Sequence, residues 1–219
     1  MWGPERFTLG VSCDYLSGLW HRVDINANVT LVVNDWGSAL SFMWARRNST
    51  AVKGVAYMEG IVAPVSWDDW PEGARGIFKG FRSEKGEDLI LNRNMVIEAV
   101  VPTSIIRDLT DTEMEAYRAP FASPDDRQPT LNWPRQIPIE GEPPEVVSLV
   151  EQYGAFMAGS ELPKLFVNAE PGSILIGRQR EFCRRWPNQQ EVTVKVLHFI
   201  QEDSPVDMGQ AVPRWLETL

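Results

Sequence analysis

One stretch constrains this chain more than any other: Leu31-Val32-Val33-Asn34-Asp35-Trp36-Gly37-Ser38-Ala39-Leu40. Residues 29–33 form a largely apolar run rich in β-branched side chains, the pattern of a parallel strand buried on both faces. The run stops at Asn34-Asp35-Trp36-Gly37. After it, Ala39, Leu40, Met43 and Trp44 recur at helical spacing toward Arg46-Arg47. A strand, a tight turn and a helix with a reactive side chain at the apex is the geometry of a nucleophile elbow. Here the apex is Asp35, whose carboxylate would sit at a helix N-terminus, where the dipole and free N–H groups favour the ionised form. Gly37 reads as the small residue that lets strand and helix approach. The plainer reading makes Asp35 a helix N-cap. Trp36 favours the functional one, because a large ring with a donor nitrogen stands where a tight turn usually has Gly, Ser or Asn.

Three further strands are predicted. Residues 52–58 end at Glu59, residues 165–167 lead into Glu170-Pro171-Gly172, and residues 192–197 are followed directly by His198. The C-terminal ends of parallel strands are where open α/β sheets place their ligands. Asp35, Glu59 and His198 are therefore expected along one sheet edge, with the residue types of a nucleophile, an acid and a base. Glu170 is a rival for the acid. The other histidine, His21, lies near the end of a surface helix predicted over 5–21 and reads as a charge at a helix C-terminus.

From residue 64 the pattern changes. Trp67, Trp70, Phe78 and Phe81 sit among acidic residues and glycines, and residues 94–106 are mostly apolar. Thr110-Asp111-Thr112-Glu113 is a capping box ahead of Met114 and Tyr117. Residues 123–138 are rich in Pro and Asp and contain Trp133-Pro134. The expectation is an α/β fold with helices on both faces of a parallel sheet. Its main domain spans 1–63 and 145–219, with a mostly helical cap over 64–144. Val146, Leu149, Val150, Tyr153 and Met157 form a core stripe after the cap. Ser204-Pro205 starts the last helix by N-cap and N1 preference, and Pro213 should bend it.

Several function classes are disfavoured. The formal net charge of −9 leaves no basic patch to neutralise nucleic-acid phosphates or an anionic membrane surface. No run of about 18 apolar residues occurs, and Met1-Trp2-Gly3-Pro4-Glu5 has neither a charged nor an apolar leader segment. Cys13 and Cys183 read as two buried thiols in a reducing cytoplasm rather than a disulfide or a metal site, so neither metal nor cofactor is expected.

Segments spread over almost the full length carry a resemblance. They are Gly3-Pro4-Glu5-Arg6, Asp35-Trp36-Gly37, Tyr57-Met58-Glu59, Pro129-Thr130-Leu131-Asn132-Trp133-Pro134-Arg135, Asn168-Ala169-Glu170-Pro171-Gly172 and His198-Phe199-Ile200-Gln201-Glu202-Asp203. In this order the chain resembles the haloalkane dehalogenases of the α/β-hydrolase superfamily and the related coelenterazine luciferases. Asn34 stands where the family usually has His. The resemblance implies a hydrolase for small apolar halogenated substrates: Asp35 the nucleophile, His198 the base, Glu59 its acid partner and Trp36 a halide donor. Trp133, Pro134, Ile137 and Phe199 would line the pocket. Tyr-Met-Glu matches the subgroup with the acid in the earlier position, which favours Glu59 over Glu170.

The resemblance also implies an N-terminally truncated version of the fold. Only 34 residues precede Asp35, and the family's His-Gly-Asn-Pro type loop has no counterpart in this sequence. Alternatives are a truncated inactive relative, whose exposed sheet edge would invite self-association, a luciferase-like monooxygenase, or another α/β-hydrolase. An epoxide hydrolase would need a pair of cap tyrosines, and Tyr117 is the sole tyrosine between residues 64 and 144.

Overall fold

A computed structural model of the chain describes residues 4–219. Met1, Trp2 and Gly3 lie outside the described residues, and with them the beginning of the Gly3-Pro4-Glu5-Arg6 match and of the supposed leaderless start. Four parallel strands, β1 (Val29–Asn34), β2 (Val52–Gly60), β3 (Lys164–Pro171) and β4 (Gln189–Val196), lie side by side in chain order. The order and direction are those expected from the alternating strand and helix patterns.

Each strand is covered by a helix that its own sequence period explains. Helix α1 (Leu9–Arg22) buries Leu9 and Cys13, and α2 (Asp35–Arg47) buries Ala39, Phe42 and Met43. Successive residues of β2 point to opposite faces, as a pleated strand requires. Val55 and Tyr57 enter the core shared by α1, α2 and a later helix, while Ala56 and Met58 enter the core on the other face. Tyr57 stacks on Phe166 with centroids 5.2 Å apart, and Phe42 meets Tyr57 edge-on at 5.7 Å. Burying each such ring contributes about 1.5–3 kcal/mol.

Between β2 and β3 the chain runs through α3 (Glu72–Phe81), two π-helical turns (Asp88–Asn92 and Val96–Val100), the single turn α4 (Val101–Thr103), α5 (Asp111–Arg118), α6 (Gln128–Gln136) and α7 (Pro144–Gly159). Thr110 and Glu113 close the expected capping box at the start of α5. Most of the buried apolar side chains of 64–139 collect into three clusters, around Trp70, Phe81 and Ile97, which Trp36 and Phe199 join from outside that range. Helix α7 returns to the sheet and buries Val146, Val150, Tyr153 and Met157. After β3 come α8 (Gly177–Cys183), then β4, the single turn α9 (Ile200–Asp203) and α10 (Pro205–Leu216), whose Trp215 covers the face opposite α2 and α7.

Several expectations need correction. Strand β1 is not buried on both faces: it is the edge of the sheet, and Val32 is 49% exposed because α10 lies over β2 to β4 and stops short of it. The first helix begins at Leu9 rather than residue 5, capped by the Thr8 hydroxyl. Ser204 stands at the N-cap position of α10, but its hydroxyl donates to the Lys195 carbonyl and does not cap the helix. Asp35 is the first residue of α2 rather than its cap, which is Asn34. Gly37 faces open space among the described residues, so the close approach is not made there.

Gly60 makes that approach. A Cβ there would lie 2.3 Å from the buried Ser38 Oγ, and Gly60 pairs with Asp35 at the end of the sheet. Gly60→Ala should therefore lower the urea midpoint by an amount worth about 1–3 kcal/mol, the usual cost of overpacking a dense core. A Gly60→Ala protein that unfolds together with the parent would show that β2 and α2 are not packed this closely.

Candidate functional site

Two carboxyl groups and one imidazole converge where the strands end. Asp35 directly follows β1 with φ of +46° and Glu59 lies near the end of β2 with φ of +37°, both in the left-handed region that non-glycine residues rarely adopt. Each such residue costs of order 1–3 kcal/mol. The turn swings both side chains off the strands toward the connection after β4, which carries His198.

Glu59 is completely buried and surrounded by donors. Its Oε2 accepts from the backbone N–H of Ser173 at 3.0 Å and of Ile174 at 2.7 Å, and its Oε1 accepts from that of Leu175 at 3.3 Å. The loop that supplies them is held by Arg180, which donates to the carbonyls of Ala169, Pro171 and Leu175. Gly172 in this loop has φ of +77°, and a Cβ there would lie 3.2 Å from Glu59 Oε1 and 2.8 Å from the Ala169 carbonyl. Glu170, the rival acid, is exposed at the end of β3. Its segment contributes backbone to the site and not its carboxyl group.

His198 is 9% exposed, with Nδ1 3.3 Å from Glu59 Oε2 and Nε2 3.9 Å from Asp35 Oδ1. A proton on Nδ1 donated to Glu59 leaves Nε2 as the free base facing Asp35. Burial pulls the imidazole pKa down, but the hydrogen bond to Glu59 and the negative charges of Asp35 and Glu59 outweigh it, so the net shift is upward. Asp35 also shifts upward: burial of the carboxyl dominates over the pull of His198 and the hydrogen bond from the Trp36 backbone N–H. The helix N-terminus thus does not set its ionisation as the sequence suggested. The side chain of Asp35 still keeps 38% of its surface open, so solvent moderates that effect.

The aromatic residues divide into two groups. Trp36 lies 4.8 Å from Trp133, tilted by 46°, and packs against the cluster of Val65, Trp70, Ile137 and Ile139. Its indole nitrogen has no acceptor among the described residues. Pro134 and Ile137 are buried beside Trp133 on and after α6. Arg82 fastens this wall by donating to the carbonyls of Pro134, Arg135, Ile137 and Glu142. Phe199 belongs elsewhere: it meets the His198 ring edge-on at 4.9 Å and packs on Ile97, Val101 and Ile105. A surface hollow of about 520 Å³ lined by Val52, Lys53, Phe156 and Leu162 lies at the opposite end of β2 from these side chains. Arg82, Arg180 and the 173–175 loop carried no signal in the sequence, because backbone donors and acceptors are the same at every position.

The raised pKa of His198 has a direct consequence. A histidine whose folded pKa exceeds its ordinary value of about 6.5 stabilises the fold fully below that pH, and the contribution is lost as pH rises through the folded pKa. Removing the Glu59 charge should lower the His198 midpoint. An NMR titration of the two histidines should show His198 above its ordinary value in the parent and shifted down in Glu59→Gln. An unmoved midpoint would show that Glu59 does not govern the imidazole.

No model of a known protein family matches the chain. The haloalkane dehalogenase of Sphingobium indicum is 51% identical to it over 218 residues, covering 99% of this chain and 74% of that protein. The coelenterazine h 2-monooxygenase of Renilla reniformis is 35% identical over 93% of this chain and 66% of that protein. The crystal structure of the haloalkane dehalogenase from Bradyrhizobium elkani superposes with a TM-score of 0.92 at 36% identity, covering 97% of this chain and 74% of that one. Among the described residues no helix is long and apolar enough to cross a membrane. The strand order, the Asp35 elbow and the identity over nearly its whole length make the chain a member of the haloalkane dehalogenase family, with the α/β-hydrolase fold.

Proposed function

We propose that the chain is a hydrolase that cleaves carbon–halogen bonds of haloalkanes to an alcohol and a halide, with Asp35, His198 and Glu59 as its catalytic residues and 64–144 as a cap over the site. The observation that carries the assignment of roles is the imidazole held between a buried, donor-saturated Glu59 and the Asp35 carboxyl at a strained elbow.

In the first step a carboxylate oxygen of Asp35 attacks the sp³ carbon in line, and the halide leaves with the bonding electron pair. The product is an alkyl ester on Asp35. Raising the Asp35 pKa makes the oxygen more basic, which suits a nucleophile as long as it remains ionised at the working pH. The leaving halide needs donors in a poorly hydrated setting, and the Trp36 indole N–H supplies one without a strongly hydrated cation. In the second step His198 Nε2 takes a proton from water, and the oxygen adds to the ester carbonyl. The acyl–oxygen bond then breaks, the alkoxide takes the proton back from the imidazolium, and the Asp35 carboxyl group releases the other water proton to solvent, which restores the carboxylate.

The two steps are coupled electrostatically. The charge of Asp35 helps to raise the His198 pKa, and esterification removes that charge. The imidazole therefore loses affinity for its proton when a base becomes necessary. Glu59 keeps Nδ1 protonated throughout. Trp133, Pro134 and Ile137 form the apolar wall beside Trp36, and Phe199 covers the histidine side. An epoxide hydrolase is disfavoured further, since the Tyr117 hydroxyl donates to Glu202 and is not free to activate an epoxide oxygen.

Replacing His198 by Phe should separate the steps. The variant should release at most one halide per chain and gain the mass of the alkyl group, held on Asp35, whereas Asp35→Ala should release none. Halide release and intact-mass spectrometry with bromoethane test this. Glu170→Gln should turn over within about twofold of the parent, while loss of Glu59 should cost orders of magnitude, as triad disruptions do. Undiminished turnover in the His198→Phe protein would refute the proposed base.

A further inference from the structure

The mechanism leaves one connected set of side chains unused. The turn that carries His198 is tied to the segment after α4 by contacts that involve neither Asp35 nor Glu59. The backbone N–H groups of His198 and Phe199 both donate to the Ser104 carbonyl, at 3.1 and 3.4 Å. Five residues beyond His198, the Asp203 carboxylate accepts from the backbone N–H of Ile106 at 2.9 Å and of Arg107 at 3.2 Å. Arg107 closes the loop in the other direction. Its Nη2 lies 2.6 Å from Glu202 Oε2 and 2.8 Å from Glu113 Oε1, and its Nε donates to the Glu202 carbonyl at 3.1 Å. Tyr117 donates to the other oxygen of Glu202. The buried Ile97, Val101 and Ile105 pack under Phe199 between these ties.

We propose that Arg107 and Asp203 are positioning residues for His198, tying its turn to the 104–113 segment and so setting the reach of the imidazole to Asp35. The need for such a device lies in the geometry. His198 has one side-chain hydrogen-bond partner among the described residues, Glu59 at 3.3 Å, and its distance of 3.9 Å to Asp35 exceeds a hydrogen bond. One bond at Nδ1 and the edge-on contact of Phe199 hold the ring but do not by themselves set how far the turn stands from Asp35. α9 is a single helical turn of four residues and is too short to hold itself. This clasp of Asp203 and Arg107 adds two points of attachment to the one at the Ser104 carbonyl, on backbone that follows His198 or faces it. Because carbon–halogen cleavage needs Asp35 and halide donors but no imidazole, loosening the clasp should slow ester hydrolysis and spare the first step. The proposal rests on the catalytic roles given above.

The chain has only two histidines, and the other, His21, is exposed on α1, which makes a readout independent of activity available. The test uses the 219-residue protein with heavy-nitrogen-labelled histidine and compares Asp203→Ala, Asp203→Asn, Arg107→Gln and a control, Arg118→Gln. Arg118 forms a similar double ion pair in the same segment but does not touch the His198 turn. In Asp203→Ala and Arg107→Gln the His198 ring signals should shift and the Nδ1 proton should exchange faster, with His21 unchanged as evidence that the fold persists. Asp203→Asn keeps an oxygen for the two N–H groups and should lie between.

With bromoethane, rapid mixing should show the first halide released within about twofold of the parent rate. Steady turnover should fall about 10- to 100-fold, the loss expected when a remote change misplaces a reacting group by about 1 Å, and the alkyl-enzyme should accumulate. His198 signals unmoved in both clasp variants, or moved with no accumulation of alkyl-enzyme, would overturn the proposal. A parent that never forms the alkyl-enzyme would instead overturn the reading of the site, and the NMR comparison would still decide whether the clasp holds the ring.

Discussion

A fully buried carboxyl group is expensive unless every oxygen is hydrogen-bonded, and Glu59 meets that condition with three consecutive backbone N–H groups and an imidazole. Much else in the structure follows from it. The connection after β3 has to wrap around the end of β2, which requires Gly172 in a left-handed conformation where a side chain would strike Glu59. Arg180 then reaches back to three carbonyls of that connection, so the loop carrying the donors is itself tied down. The interaction that makes the burial of Glu59 tolerable is also the one that orients His198. One set of hydrogen bonds therefore both satisfies a buried carboxyl group and holds the imidazole beside it.

The elbow places a second demand on the fold. Both carboxyl-bearing residues at the sheet edge adopt positive φ, a conformation that persists only where neighbours over-determine it. Asp35 is pinned between the end of β1 and the first turn of α2, and its backbone pairs with Gly60. Gly60 lies against Ser38 with no room for a side chain. The strain at Asp35 and at Glu59 is thus offset by one compact junction of β1, β2 and α2. The third member, His198, lacks such a junction. It sits on a connection and is held from the inserted segment, through Ser104 and the ties around Asp203 and Arg107. The segment between β2 and β3 is consequently tied to the connection that carries His198.

Local sequence determined a good deal. The β-branched run before Asp35, the apolar strands before Glu59 and His198 and the stripe of α7 specified a parallel α/β sheet, because backbone pleat and helical period project directly onto residue spacing. The Thr110 capping box and the turn at Asp35-Trp36-Gly37 are likewise local, since their hydrogen bonds and steric limits lie within a few residues. That Asp35, Glu59 and His198 would share one edge followed from parallel strands all ending on the same side.

Tertiary structure alone decided the rest, for reasons of distance along the chain. Among the described residues β1 pairs with β2 alone, and the helix on that face packs on β2 to β4, so Val32 could not be read as exposed from its own neighbourhood. The glycine that admits the elbow helix is Gly60 and not Gly37, because the close contact is made across two strands. Glu59 and Glu170 both follow a strand, and only the wrapping of residues 173–175 buries one and leaves the other in solvent. The upward shift of Asp35 reflects burial, which outweighs the pull of His198 and the hydrogen bond from the first turn of α2, and burial is set by the fold rather than by the residues beside Asp35. The ties from Arg82 to the carbonyls of Pro134 and Ile137, and from Arg107 to Glu202, cross 50 or more residues, and a partner that far along the chain leaves no mark on the identity of the arginine that binds it.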